Sequence, residues 1–431
     1  MVPPLVNSAE IRDRARFLDA SDPLYALRRE FSIPTDDSGT TALYFCGHSL
    51  GAMPTAARAI VNQELADWST LGVRGHVTAR RPWITYADAL RNDLAHLVGA
   101  ELHEVVLMNS LTINLHLMLA SFFQPRQDRN LIVMEAGAFS SDRHAVVSQL
   151  QWHGFDPDRH LIELKPPTGE YLIRESTLQA LLADQGDRIS LILWPGVQFR
   201  TGQSFDLARI TRAGHQAGAI VGLDLAHAVG NVPLALHDAG PDFAVWCSYK
   251  YLNGGPGAIG GCFVHSRHAE RPTRPRLAGW WGHDLATRFD MGPQFAAGHG
   301  ASGFQVSNPP ILSAAPLAAS LEIFRQAGMN RLRQKSMSLT GFLEELLGHY
   351  AGDVDIVTPR DPQSRGAQLS LKIRGDGARG RQVFEWLSAR GIVVDWRAPD
   401  ILRVAPVPLY NGFEEVYRFA QALGQALASS R

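Results

Sequence analysis

Of the four lysines in this 431-residue chain, Lys165, Lys250, Lys335 and Lys372, Lys250 alone follows a long apolar run into a glycine-rich turn. The stretch PDFAVWCSYKYLNGGPGAIGG, Pro241 to Gly261, delivers Ser248, Tyr249 and Lys250 to that turn. An amine at the end of a buried strand is partly desolvated, which disfavours the ammonium form and suits it to attack an aldehyde or to act as a base. Lys165 instead runs into Pro166 and Pro167, Lys335 lies in an amphipathic helical pattern, and Lys372 sits in the alternating run AQLSLKI. A strand-end lysine is also a common surface cap, so a second group is needed. The run AIVGLDLAHAVG, Ala219 to Gly230, supplies it: a strand buried on both faces stops at Asp224. A buried carboxylate needs a cation or several hydrogen bonds. A protonated pyridine nitrogen is such a cation, and a Schiff-base lysine with an acid at the ring nitrogen is the pair used with pyridoxal phosphate. Turn capping by Asp224 and core hydrogen bonding by His227 are the competing readings.

These groups need a frame. From Glu104 to Gly261, short apolar runs alternate with amphipathic stretches, the pattern of a wound α/β domain with a mostly parallel sheet. EVVLM, LIVMEA and ISLILW read as strands; NLHLMLASFF, Asp142 to His153 and LARITRAGHQAG read as helices. Asn109 to Thr112 falls at a helix N-terminus, where free N–H groups suit a phosphate, although a capping threonine is equally ordinary there. FSSD, Phe139 to Asp142, offers Ser140, Ser141 or Asp142 as an N-cap. Gly255, Gly257 and Gly260 fit G-x-G-x-x-G, but a dinucleotide fingerprint must open a helix and AIGGCFVH reads as a strand.

The formal net charge of −1 gives no electrostatic grip on nucleic acid or anionic membrane. Cys46, Cys247 and Cys262 lack metal-ligand spacing and read as small hydrophobes of a reducing compartment; no zinc constellation is evident among the histidines. No apolar run has the length of a signal core or a membrane span, so a cytoplasmic protein is expected.

Seven collinear segments carry a resemblance. YFCGHSLG (Tyr44 to Gly51), RPWITY (Arg81 to Tyr86), LMNSLTINLHLMLASFF (Leu107 to Phe123), GLDLAHAVGN (Gly222 to Asn231), WCSYKYLNGGPG (Trp246 to Gly257), GFQVSNPP (Gly303 to Pro310) and LRVAPVPLYN (Leu402 to Asn411) closely resemble the kynureninase family. The resemblance implies fold-type I of the pyridoxal phosphate enzymes: a large α/β domain with a seven-stranded-type sheet over 41–310, a linking helix and small α+β domain over 311–431, and an N-terminal segment over 1–40 packed on the small domain. It implies hydrolytic Cβ–Cγ cleavage of kynurenine or, preferentially, 3-hydroxykynurenine, in tryptophan catabolism or NAD biosynthesis, by a homodimer with shared active sites. It assigns Lys250, Tyr249 and Asp224 to catalysis. Leu111, Thr112, Phe139, Ser141, Asp142, Asp224, His227, Tyr249, Lys250, Trp280 and Asn308 go to the cofactor; Ser49, His76, Asn308 and Arg403 go to the substrate. Trp280 and Asn308 would act across subunits, and His76 with Asn308 would meet a 3-hydroxyl. Two positions depart from the family pattern: Pro195 offers no hydroxyl to the cofactor, and His48 replaces an expected Asn. Other fold-type I chemistry, by a cysteine desulfurase or an aminotransferase, is the alternative, and a nicotinamide-dependent oxidoreductase a more remote one.

The remaining expectations are local. A polar helix is expected around Ala9 to Leu27, with a turn-rich link at Pro34 to Thr40. Val61, Leu65 and Trp68 share a helix face. Ile311 to about His349 forms a long amphipathic stretch broken near Gly328. IVVDW and ILRVAP read as strands, and Asn411 with Glu414 as a capping-box start of the last helix. Arg403, on a small-domain strand, could grip a carboxylate in bidentate fashion, with a surface salt bridge as the plainer reading.

Overall fold

A computed structural model describes residues 8–35, 39–269 and 274–430. Its large sheet has seven strands in the order Val105–Leu107, Gly261–Val264, Phe243–Trp246, Ile220–Asp224, Ile189–Pro195, Leu131–Glu135, Leu161–Leu164. Gly261–Val264 runs antiparallel to both neighbours, and the other strands are mutually parallel. Strands Leu131–Glu135, Ile189–Pro195 and Phe243–Trp246 are buried along their whole length and Ile220–Asp224 through its middle three residues, as a sheet covered on both faces requires. At Gly222 a Cβ would lie 2.1 Å from the Phe243 ring, so glycine lets the neighbouring strand's aromatic lie across the sheet. The glycine turn after Lys250 does lead into a strand, Gly261–Val264, and no dinucleotide fingerprint is formed.

The C-terminal part carries an antiparallel sheet in the order Val354–Ile356, Leu369–Ile373, Ile401–Val404, Asp395–Arg397. Its core gathers Leu371, Leu402, Val416 and Phe419. The linking stretch is two helices, Ile311–Ala327 and Met329–Leu347, parted at Gly328 with φ of 75°, a left-handed value that glycine adopts without strain. The expected single strand IVVDW is split. Ile392–Val393 pairs in parallel with Leu43–Tyr44, while Asp395–Arg397 pairs with Ile401–Val404. Leu43 and Phe45 N–H donate to the carbonyls of Gly391 and Val393, which draws that half of the run out of the sheet.

Three local expectations are corrected. The first helix, Ser8–Ser21, ends just before Pro23, because a proline pushes its preceding residue out of helical conformation; Tyr25–Glu30 follows as a 3-10 turn. The last helix starts at Phe413, with Gly412 N–H donating to Glu415 at 3.1 Å and Asp19 accepting from Phe413 and Glu414 N–H at 2.6 and 3.0 Å. Asn411 is instead occupied by Val407 N–H and Tyr44 carbonyl. In the Ala57–Leu71 helix, Glu64 and Asp67 are buried while Leu65 and Trp68 are exposed, because Trp83 Nε1 donates to Glu64 and Gln63 and Arg80 donate to Asp67. The Pro34 to Thr40 link includes residues 36–38, which lie outside the described residues. Among those described, no helix is long and apolar enough to cross a membrane.

Candidate active site

One cavity opens at the C-terminal ends of the parallel strands, where open α/β sheets bind ligands. It is lined by Leu111, Thr112, Phe139, Ser141, Asp142, Asp224, His227, Tyr249 and Lys250, nine of the residues singled out from sequence. Asp224 ends its strand and lies in register with Val245 of the next; Lys250 follows that strand after a short turn, so adjacent strands deliver acid and amine to one space. Lys250 Nζ stands 5.8 Å from the centroids of both Phe139 and Tyr249. Burial raises the Tyr249 hydroxyl's pKa well above its ordinary value, so the phenol stays protonated.

The cavity floor is acidic. Burial, together with the neighbouring Asp224 charge, pushes the Asp142 carboxyl well above the carboxylate range. Burial does the same to Glu135, which also lines the cavity. His227 and His48 are held well below ordinary histidine by burial, with Lys250 and Arg403 opposing a further positive charge. Both are neutral imidazoles at pH 7.

At the other end, the Leu111–Phe122 helix presents its first turn, whose N–H groups have no acceptor in their own helix. Ser110 makes no side-chain cap, and Thr112 Oγ1 bonds Ser141 Oγ at 2.8 Å. A Cβ on Gly260 would come within 3.2 Å of Leu111 N, so a glycine keeps that turn open.

These features fit pyridoxal phosphate. Asp142 Oδ1 and His227 Nδ1 are buried and unpartnered, a paired acid faces the space where a ring cation would sit, and a bare helix N-terminus suits the phosphate. Pro195 lines the cavity opposite Asp224 in register and supplies no hydroxyl, as its residue type dictates.

Arg403 and Ser49 meet on the small-domain side. Arg403, buried on the Ile401–Val404 strand, donates to Asp395 Oδ1 from Nε at 3.0 Å, to the Phe199 carbonyl at 2.7 Å and to Ser49 Oγ at 3.2 Å. The plain surface salt bridge is thereby excluded, and the guanidinium already holds an internal carboxylate. His76, Trp280 and Asn308 are exposed and do not line the cavity. His76 packs edge-on to Trp83 at 5.4 Å, and Trp280 Nε1 donates to the Arg288 carbonyl.

Sequence reasoning passed over Glu135, Phe199, Asp395 and Arg397. Glu135 carries the signal that exposed Asp224, an acid ending an apolar strand. Phe199 lies in an irregular loop, and nothing in its spacing marks it. Among the described residues, two groupings bring metal-ligand atoms within 4.8 Å of one another, Cys46–His48–Asp395 and Glu104–His237–His265. Arg403 and Arg397 flank the first and oppose a cation. In the second, Glu104 accepts from Ser266 N–H, Glu101 N–H and His237, and His265 Nδ1 accepts from Arg267 N–H.

The family model for the kynureninase C-terminal domain matches residues 332–423. The chain is 54% identical over 411 residues to a kynureninase of Xanthomonas campestris pv. campestris (strain B100), covering 95% of this chain and 96% of that one. With a kynureninase of Stenotrophomonas maltophilia (strain K279a) the identity is 52% over 411 residues, 95% and 97% of the two chains. Among solved structures, a C-DES variant with glycine covalently linked to the pyridoxal phosphate cofactor superposes with a TM-score of 0.78 at 18% identity, over 92% of this chain and 98% of that one. A cysteine desulfurase from Thermococcus onnurineus NA1 gives 0.73 at 17%, over 90% and 95%. At such identities these two show the fold alone, that of fold-type I. Identity above one half along nearly the whole length, on a fold whose strand ends gather a lysine, a paired acid and a bare helix N-terminus, shows that this chain belongs to the kynureninase family.

Proposed function

We propose that this protein hydrolyses L-kynurenine and 3-hydroxy-L-kynurenine at the Cβ–Cγ bond, releasing L-alanine and anthranilate or 3-hydroxyanthranilate. The observation that carries this reading is the meeting of Lys250, Asp224, Tyr249 and the helix N-terminus at Leu111–Thr112 in one cavity, on a chain similar to kynureninases from end to end.

Pyridoxal 5'-phosphate, when bound, supplies the electron sink that stabilises negative charge at the substrate's Cα. The protein's own groups do the rest. Lys250 would anchor the cofactor, and its free amine would take and return the Cα proton. Asp224 would hold the ring nitrogen's proton, with Asp142 beside it in the same cavity. The first-turn N–H groups at Leu111 and Thr112, with the hydroxyls of Thr112 and Ser141, would hold the phosphate. Phe139 and His227, which line the cavity, would pack on the ring, His227 as a neutral donor. Water adds to the side-chain ketone, the Cβ–Cγ bond breaks with its electron pair left on Cβ, and Tyr249 would donate its proton to Cβ as the hydrated carbonyl carbon leaves as the aromatic acid. Arg403 and Ser49 hold the α-carboxylate.

The site is completed by a second subunit. Exposed His76 lies between Val73 and Val77, 81% and 64% exposed, and exposed Trp280 is followed by Phe289 and Met291 at 57% and 76%. Apolar exposure on this scale marks a partner surface, and His76, Trp280 and Asn308 stand on it rather than at their own cavity. A homodimer in which these residues serve the neighbour's site accounts for both facts. A site that hydrogen-bonds the 3-hydroxyl through His76 and Asn308 favours 3-hydroxykynurenine. Three free cysteines, two of them buried, support the cytoplasm as the compartment and offer no mobile sulfur nucleophile for a desulfurase.

Anthranilate fluorescence with purified protein tests the reaction. Equimolar anthranilate and alanine from kynurenine supports it; sulfur release from cysteine, or amino transfer to an added keto acid in its place, overturns it. A higher kcat/KM for kynurenine than for its 3-hydroxy form overturns the preference alone.

A further inference from the structure

The Arg403 guanidinium is nearly used up by the protein itself. Asp395 lies directly across from it in the antiparallel register. Nε and Nη2 of Arg403 stand 3.0 and 2.9 Å from Asp395 Oδ1, Nη2 also reaches Ser49 Oγ, and Nη1 donates to the Phe199 carbonyl. Of the five N–H donors of an arginine, one on Nη1 is left. A two-point grip on an incoming carboxylate therefore needs another group. Arg397 is that group. Its Nη2 donates to Asp395 Oδ2 at 3.2 Å and its Nε makes an ion pair with Oδ1 at 2.9 Å. Its Nη1 has no hydrogen bond among the described residues, and its side chain remains 37% exposed where that of Arg403 is 1%. The two guanidiniums stand 6.0 and 5.9 Å from the same Phe199 ring, and Phe199 lines the Lys250 cavity. Two arginines around one aspartate leave a single uncompensated positive charge at the edge of the site, which matches a monocarboxylate.

We infer that Arg397 is a specificity-determining residue that shares the substrate's α-carboxylate with Arg403, and that Asp395 is the positioning residue that aims both guanidiniums. The inference rests on the proposed reaction for the identity of the substrate, but the receptor itself is a statement about any α-amino acid bound at Lys250. Ser49 belongs to the same device, since its hydroxyl donates to Asp395 Oδ2 at 2.9 Å and can turn to the ligand.

The test uses the holoenzyme and the variants Arg397→Gln, Arg397→Lys and Asp395→Asn, each first checked for an unchanged cofactor absorption band. Kynurenine is compared with its α-carboxamide, and L-alanine is titrated against the same band. For Arg397→Gln, KM for kynurenine and the alanine dissociation constant are expected to rise roughly tenfold to a hundredfold, the loss of one charge-assisted hydrogen bond. The carboxamide should be nearly unaffected, and Arg397→Lys should recover part of the loss. Asp395→Asn should weaken acid over amide in the same way, and its effect should fail to multiply with that of Arg397→Gln. Equal losses for acid and amide, or an unchanged KM, overturn the assignment. A wild-type protein inactive on kynurenine but binding alanine in an Arg397-dependent way would overturn the proposed reaction and support the receptor.

Discussion

The hydroxyls of Thr112 and Ser141 lie 2.8 Å apart, joining the first turns of the two helices that follow neighbouring stretches of the cavity wall. Thr112→Ala removes this bond and one phosphate donor. We expect a cost of about 1 kcal/mol in stability and weaker cofactor retention, read as faster loss of the absorption band on dialysis. Ser141→Ala should do less at the phosphate while breaking the same bond. Equal retention in all three proteins would remove Thr112 from the phosphate site.

Asp224 and Asp142 line the same cavity and are expected to respond differently to substitution. Burial and its neighbour keep Asp142 protonated, so Asp142→Asn preserves shape and donor and is expected to retain most activity. Asp224→Asn removes the carboxylate that faces the ring cation and is expected to lower kcat by roughly 10²–10⁴-fold. Steady-state rates check the contrast; similar losses for both would mean that the proton sits elsewhere.

Asp242 governs acid stability. Burial works against its charge, but hydrogen bonds from His215 at 2.9 Å, His268 at 2.7 Å and Val221 N–H at 2.8 Å outweigh it and hold the carboxyl well below 3.8. A carboxyl depressed in the folded state adds stability that is full above its unfolded pKa and is lost as pH falls through the folded one. The contribution, on the order of 2–3 kcal/mol, should therefore fade below about pH 4. Asp242→Asn should lower the urea midpoint at pH 7 and flatten its decline in acid; an unchanged slope would refute the assignment.

Lys335 serves structure. It is buried on the Met329–Leu347 helix and pairs with buried Asp22 at 2.7 Å, pinning the N-terminal turn. Lys335→Met leaves a carboxylate buried without a cation and should cost about 3–5 kcal/mol. Adding Asp22→Asn should restore much of it in chemical denaturation, which a loss due only to helix packing would not allow.

The sequence by itself determined the strand succession, because residues buried on both faces must be apolar and only a few polar types interrupt them. Asp224 and Lys250 stood out for that reason, and Thr112 and Asp142 for their place at helix starts. Periodicity also carried the two linking helices and the break at Gly328. It did not carry the partners of Arg403. Asp395 and Arg397 alternate on a short strand like any surface pair, and only the antiparallel register with Ile401–Val404 sets Asp395 opposite Arg403, so that both arginines meet one carboxylate. Nor could spacing show that Leu65 and Trp68 face outward, since Glu64 and Asp67 are buried by bonds to Trp83, Gln63 and Arg80. Which residues share a space is decided by long-range pairing, and a local pattern records burial without recording against what.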